Sequence, residues 1–257
     1  MRVDLQRRDN CFSVIVPAYR CARFLRESVQ SVLDQTDGAF EIIVIDDHSE
    51  DDTWACIQEL AQQDQRIRAY RNEKNLGTAQ TRNRGIDLAR GTYLAFLDGD
   101  DRWLPDKLAK QRQCLEETGC DVCYTSYSFI DAEGRPVRHP YRVPETFTET
   151  DFLRENYVGC STAVFRADCL GGVRMRGEYV HEDYVFWLEL LQKGATFHGI
   201  SRPLVEYRLL SGSRSADKLR SSWGRWRILR DYLKLPLPRA TACQLHYVIR
   251  GLRKHYF

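Results

Sequence analysis

The segment Asp98-Gly99-Asp100-Asp101 follows directly on the apolar run Thr92–Leu97. Carboxylates two positions apart at a strand end can converge on one hard divalent cation, Mn²⁺ or Mg²⁺, which keeps some water and binds a diphosphate. Gly99 would let backbone come close to such a ligand. The same letters also write a polar turn capping the helix that starts near Pro105, because Asp-Gly is a common turn pair. Two more clusters sit at similar places, and two lie on helices. Pro17-Ala18-Tyr19 ends the run Phe12–Val16, and Asp46-Asp47 ends Glu41–Ile45. A carboxylate there accepts a hydrogen bond from a base N–H or caps the next helix. Arg82-Asn83 brings a guanidinium that suits a phosphate, or a solvated helix face. His181-Glu182-Asp183 heads the apolar helix Tyr184–Leu191, where a carboxylate serves as general base or as helix cap. His48 and His181 read more simply as polar surface than as ligands.

The elements that carry these clusters follow from periodicity. Phe12–Val16, Glu41–Ile45, Arg66–Arg71 and Thr92–Leu97 read as buried strands. Between them, Leu25, Val29, Val32 and Leu33 mark an amphipathic helix, a second helix runs to about Gln63, and a third spans Thr78–Ala89. Strand–helix alternation means a largely parallel sheet with helices on both faces, and ligands in such sheets sit at the carboxyl ends of strands. Pro17-Ala18-Tyr19, Asp46-Asp47 and Asp98–Asp101 each lie at such an end. Farther on, Asp121–Ile130 reads as a strand, 131–151 with its three prolines as a long loop, Val158–Arg166 as a strand, and Glu182–Gln192 as a helix. Neither a GxGxxG turn nor a P-loop follows the first strand, so nucleotide phosphates need another partner.

The chain has 257 residues, 43% hydrophobic and 29% charged, which excludes a fibre or a disordered tail. The net charge is +2, but from Lys218 onward ten Lys or Arg stand against the single Asp231. That segment carries +9 and residues 1–217 carry −7. Nine cysteines without framework spacing point to free thiols in a reducing, cytoplasmic setting. Cys120-Asp-Val-Cys123 has no second pair and reads as core rather than zinc or redox. Met1–Asn10 lacks the apolar core of a signal peptide, and no run reaches the length of a spanning helix. No recognition motif accompanies the basic charge, which argues against nucleic acid.

Taken in order, Phe12–Tyr19, Glu41–Thr53, Asn75–Ile86, Asp98–Leu108 and Glu182-Asp183 resemble the motifs of inverting glycosyltransferases of family 2, with the GT-A fold. The later stretches Val158–Val164 and Pro203–Arg208 are similar to bacterial transferases of the teichuronic acid and amylovoran type. The resemblance implies a Rossmann-like, mainly parallel α/β sheet: a nucleotide-sugar half at 11–104, an acceptor half at 105–215, a short tail at 1–10 and a basic helical segment at 216–257. It also implies a nucleotide diphosphate donor, with uracil the favoured base, and a saccharide or lipid-linked oligosaccharide acceptor. Pro17, Ala18, Tyr19 and Asp47 would hold the nucleoside, and Arg82, Asp98 and Gly99 the diphosphate. Asp98 and Asp100 would bind the metal, Asp100 directly. Asp183 would be the catalytic base, with Glu182 the alternative if the helix register turns it inward. One departure stands out: the family histidine after Tyr-Arg is Leu210 here, leaving Arg208 or Arg214 to compensate. A nucleotidyltransferase would want a glycine-rich loop after the first strand, which is absent. A non-catalytic nucleotide-sugar-binding subunit would not need every carboxylate present here.

The tail places Trp226, Leu229 and Leu233 at i, i+3 and i+7, with Arg225, Arg230 and Lys234 beside them and Pro236 ending the helix. That composition fits a helix on an anionic bilayer, with the protein peripheral on the cytoplasmic face of the inner membrane. It equally fits a helix packed back on the domain.

Overall fold

A computed structural model describes residues 8–210 and 217–256. The first four strands are parallel neighbours: β1 (Arg8–Ala18) lies between β2 (Phe40–Asp46) and β4 (Gly91–Phe96), and β3 (Ile67–Arg71) flanks β2. Registers Ala18↔Asp46 and Ile15↔Phe96 bring their carboxyl ends together, so the polar residues after each run share one rim. Side chains alternate along β1: Phe12, Val14 and Val16 pack on one face of the sheet and Ile15 on the other. β2 is buried at every position, as a central parallel strand must be. Helices α1 (Ala22–Leu33), α2 (Thr53–Gln63) and α3 (Thr78–Leu88) are the crossovers.

The sheet then changes direction. Short β8 (Val164–Arg166) is antiparallel to both β4 and β6 (Val122–Ile130), and β6 runs parallel to β9 (Phe197–Arg208). The remaining strand of the main path, β5 (Arg102–Trp103), pairs with β9 at the far edge. α4 (Lys107–Thr118) precedes β6, and α6 (Glu182–Gln192) forms over the predicted residues. α6 is buried on nearly all sides, from Tyr184 to Leu188 and again at Leu190, with Phe186 and Trp187 against Phe96 and Phe165 of the sheet.

Three expectations change. Residues 131–151 are not a loop: β7 (Pro136–Tyr141) pairs with β6, and α5 (Glu149–Arg154) starts at a Thr148–Asp151 capping box. Proline is tolerated there because β7 is an exposed edge strand that spares N–H groups. Val158–Arg166 is strand only from Val164, because Cys160–Thr162 forms a 3₁₀ turn. The tail stripe faces inward. α7 (Lys218–Arg227), a π-helical turn (Ile228–Tyr232) and α8 (Leu237–Tyr256) place Ile228, Leu229, Ala240 and Cys243 in the core with Tyr184. Trp226 and Leu233 pack against the same cluster. The periodicity marks an apolar face without saying what covers it, and α5 and α6 offer a dry surface. All nine cysteines are free, Cys120 and Cys123 buried among them. Among the described residues no helix is long and apolar enough to cross a membrane.

Candidate active site

A cleft of about 670 Å³ opens at the carboxyl ends of β1, β2 and β4 and is closed on the far side by the head of α6. Pro17, Ala18, Tyr19, Asp47, Arg82, Asp98, Gly99, Asp100, Glu182 and Asp183 all line it. The sheet thus gathers every proposed site residue around one cavity of ligand size.

At one end, Asp47 organises the loop before α3. Its carboxylate accepts from Asn72 Nδ2 at 2.7 Å, from the Leu76 N–H at 2.9 Å and from the Gly77 N–H at 2.8 Å. Three of roughly four lone-pair directions are therefore used, and the residue shapes the wall as much as it faces a ligand. Tyr19 is among the exposed large side chains and carries the Arg20 guanidinium 5.2 Å from its ring centroid.

Arg82 holds the centre. It is buried rather than on a solvated helix face, and donates to Asp98 Oδ1 at 2.5 Å and to Glu182 Oε1 at 3.3 Å. Burial works against its charge, but Asp98, the Cys160 thiol and Glu182 outweigh that and keep it firmly protonated. Its Nε, buried, meets no acceptor among the described residues. Glu182 therefore does turn inward, as an ion-pair partner of Arg82. Asp183, one residue on, lines the cleft, with Asn156 Nδ2 3.4 Å from its Oδ2 and the Tyr184 N–H also bonded to its carboxylate. Burial first, and the Glu182 charge second, push the Asp183 carboxyl upward from its ordinary value.

The acidic turn is braced from behind. Asp101, fully buried, accepts from Ser161 Oγ at 2.6 Å and from the Arg208 N–H at 3.0 Å, while Ser161 Oγ accepts from the Asp98 N–H at 3.1 Å. Burial, then the charges of Asp100 and Asp98, raise Asp101 well above a usual carboxyl. Among the described residues no group of three His, Cys, Asp or Glu could hold a metal ion, Asp98 is paired with Arg82, and the hard oxygens the turn offers a divalent cation are the carboxylates of Asp98 and Asp100. Gly99 is required for another reason than ligand approach: a Cβ there would stand 2.9 Å from Cys21 Sγ.

Arg208 does not replace the missing histidine. Its guanidinium donates to the Asp100 carbonyl at 2.8 Å, to the Asp131 and Ala132 carbonyls, and to Glu27 at 2.6 Å, so every arm points away from the cleft. Leu210 does line the cleft, and Arg214 lies outside the described residues. Nothing in the local sequence marked Ser161 or Arg208 as braces, because both act across 60 residues or more. Ser161 to Asp101 spans 60 positions and Arg208 to Asp100 spans 108.

The tail reaches the same site. His181 Nε2 lies 2.9 Å from the Ser221 carbonyl and 3.1 Å from its hydroxyl, which meets the Tyr247 hydroxyl at 3.1 Å. Arg225 is sandwiched between the Tyr184 and Tyr247 rings, each centroid at 4.6 Å, and donates to the Leu153 carbonyl at 2.6 Å.

The profile of glycosyl transferase family 2 matches residues 13–177. A putative teichuronic acid biosynthesis glycosyltransferase of Bacillus subtilis is 35% identical over 242 residues, 94% of this chain and 96% of that one. An Escherichia coli protein named UDP-Glc:alpha-D-GlcNAc-diphosphoundecaprenol beta-1,3-glucosyltransferase WfgD is 31% identical over 252 residues, 97% of this chain and 96% of its own. Among solved structures, Staphylococcus aureus TarS in complex with UDP-GlcNAc superposes with a TM-score of 0.73 at 21% identity, over 93% of this chain and 71% of that chain. A Pyrobaculum calidifontis mannosyltransferase in complex with GDP-Man and Mn²⁺ superposes at 0.69 and 17% identity, over 91% and 68%. These two share the fold, and the strand order with its acidic turn after β4 is the GT-A arrangement. By the extent of both the profile match and the identities, the chain belongs to glycosyl transferase family 2 and is a glycosyltransferase of the GT-A fold.

Proposed function

We propose that the protein transfers a sugar from a UDP-sugar to a hydroxyl of a lipid-linked diphosphate saccharide, with inversion, during assembly of a bacterial surface polysaccharide. The observation that carries the reading is the division of labour at the head of α6. Arg82 takes the Glu182 carboxylate, and Asp183 keeps its carboxylate in the cleft with a raised proton affinity. A base tuned upward is better matched to an alcohol proton near neutral pH.

The chemistry is a single displacement. Asp183 accepts the proton of the acceptor hydroxyl as its oxygen attacks the anomeric carbon on the face opposite the leaving diphosphate. The new C–O bond forms as the bond to the diphosphate oxygen breaks, which inverts that carbon. Arg82, pinned between two carboxylates on the cleft wall, sets its positive charge beside the departing diphosphate. Asp98 and Asp100 would hold a Mn²⁺ or Mg²⁺ ion, which supplies countercharge for the departing diphosphate. Pro17, Ala18, Tyr19 and Asp47 form the wall for the nucleoside. The domain boundaries at residues 104 and 215 follow the same division, donor side before the acidic turn and acceptor side after it.

The acceptor reading rests on the printed specificity of the Escherichia coli relative, whose substrate is diphosphoundecaprenol-linked. An enzyme with such an acceptor would work at the cytoplasmic face of a membrane. Leu245, Val248 and Ile249 of α8 are 57%, 40% and 50% exposed, the face opposite the buried Ala240 and Cys243. We assign bilayer contact to that outer face, in place of the Trp226–Leu233 stripe.

A donor panel assayed for nucleoside diphosphate release tests the function. UDP-sugars should turn over with Mn²⁺ or Mg²⁺, and EDTA should abolish the reaction. Full activity in EDTA would remove the metal assignment, and turnover of no donor would remove the enzyme reading.

A further inference from the structure

A second depression, of about 410 Å³, adjoins the catalytic cleft, and Val180 belongs to the wall of both. Its other wall is the outer face of α7. Arg220, Trp223 and Arg227 recur there at i, i+3 and i+7, which puts an indole between two guanidiniums on one stripe. Trp223 is 63% exposed, and Leu219 on the same helix is 86% exposed. A single exposed aromatic is ordinary on a protein surface. This one is flanked by two cations, faces a second wall at Gly177–Val180, and opens beside the helix that begins at Glu182. Gly224 keeps the two walls close, since a Cβ there would stand 2.8 Å from Val180 Cβ.

The charges in the groove are arranged for an anion. One acid, Glu178, shares the groove on the opposite wall, 3.9 Å from Arg176 in an exposed pair, against the two guanidiniums of α7. Arg227 lies 3.5 Å from Asp231 in an exposed i,i+4 pair, which a better ligand displaces at small cost. Arg220 uses its backbone N–H on Asp217 as a helix cap, leaving the guanidinium to the groove. Planar guanidiniums recognise phosphate oxygens in pairs, and an indole face packs on the apolar face of a sugar ring.

Resting on the transfer reading above, we propose that this groove is the acceptor subsite. The acceptor sugar stacks on Trp223 with its hydroxyl directed past Val180 toward Asp183, and Arg220 and Arg227 hold the diphosphate that links it to lipid. The enzyme thereby selects acceptors by their diphosphate rather than by sugar alone.

Two acceptors with one sugar separate the outcomes: N-acetylglucosaminyl diphosphate with an undecyl chain, and undecyl N-acetylglucosaminide. With the donor chosen by the panel, the intact protein should show a KM about tenfold or more lower for the diphosphate, the size expected for a charged hydrogen bond. The double variant Arg220→Gln, Arg227→Gln should lose that preference, and Trp223→Ala should raise KM for both acceptors about tenfold. UDP binding by calorimetry, measured on each variant, should match the unmodified protein and so reports an intact fold. A preference that survives the double variant, with normal KM in Trp223→Ala, overturns the groove while leaving the transfer reading standing. Donor turnover with transfer to neither acceptor overturns both.

Discussion

Glu182 and Asp183 are chemically near-identical neighbours that the fold sends to different tasks, because a helix turns by about 100° per residue and Arg82 stands on one side only. Lys107 shows the same dependence on surroundings. It is fully buried, with its Nζ 2.5 Å from Gln111 Oε1 and 3.9 Å from the Trp103 ring centroid. Burial pushes it down from the ordinary 10.5 to about 7. Above that pH the fold holds it neutral while the unfolded chain stays protonated until about 10.5. The unfolded state then binds more protons, so this residue's contribution to stability rises with pH. The gain is about 1.4 kcal/mol per pH unit within that window. Urea unfolding of the protein and of Lys107→Met at pH 7 and pH 9 isolates the contribution. The difference should move in favour of the unmodified protein as pH rises, and a constant difference would contradict the account. The lysine was visible in the sequence, but its burial was not, since a charged residue one position before Leu108 reads as helix surface.

At the scale of elements, β1, β2 and β4 were legible because each is a short apolar run ended by polar residues, and parallel pairing then fixes where those polar ends meet. β7 was hidden by Pro136 and Pro140, which argue against a central strand but are harmless at an edge. The brace on the acidic turn was hidden as well, because β9 delivers Arg208 from 108 positions away. Sequence neighbourhood pointed Arg208 toward the vacant histidine role, whereas its geometry makes it a strut. Arg208→Met should accordingly destabilise the fold by about 2 kcal/mol, less than a fully buried pair costs, because Glu27 is 43% exposed. It should also raise the Mn²⁺ concentration needed for half-maximal activity, since the Asp100 backbone loses its anchor. A variant with unchanged stability and unchanged Mn²⁺ requirement would show that β9 plays no part in holding the turn.

Over the whole molecule, the contrast between an acidic body and a basic tail has a partly structural meaning. Arg225 is spent inside the protein, Arg227 faces Asp231, and Arg230 donates to the Leu235 carbonyl. The tail completes the core, with Ile228, Leu229, Ala240 and Cys243 all buried. Burying an Ile or Leu side chain contributes about 1.5–3 kcal/mol, and a domain's net stability is only about 5–15 kcal/mol. Truncation before Lys218 should therefore abolish a cooperative thermal transition rather than release an active catalytic domain. A truncated chain that melts at the original temperature would contradict this packing. The inward stripe and the Ser221–His181 contact together tie the tail to the residues that begin α6.

The central claim is that Asp183, and not Glu182, removes the acceptor proton. Steady-state kinetics of Asp183→Asn against the unmodified protein test it most directly, because the substitution keeps the shape and removes the proton acceptor. The account predicts kcat lower by about 10²–10⁴-fold with donor KM nearly unchanged. A kcat close to that of the unmodified protein, with loss of activity in Glu182→Gln instead, would contradict it.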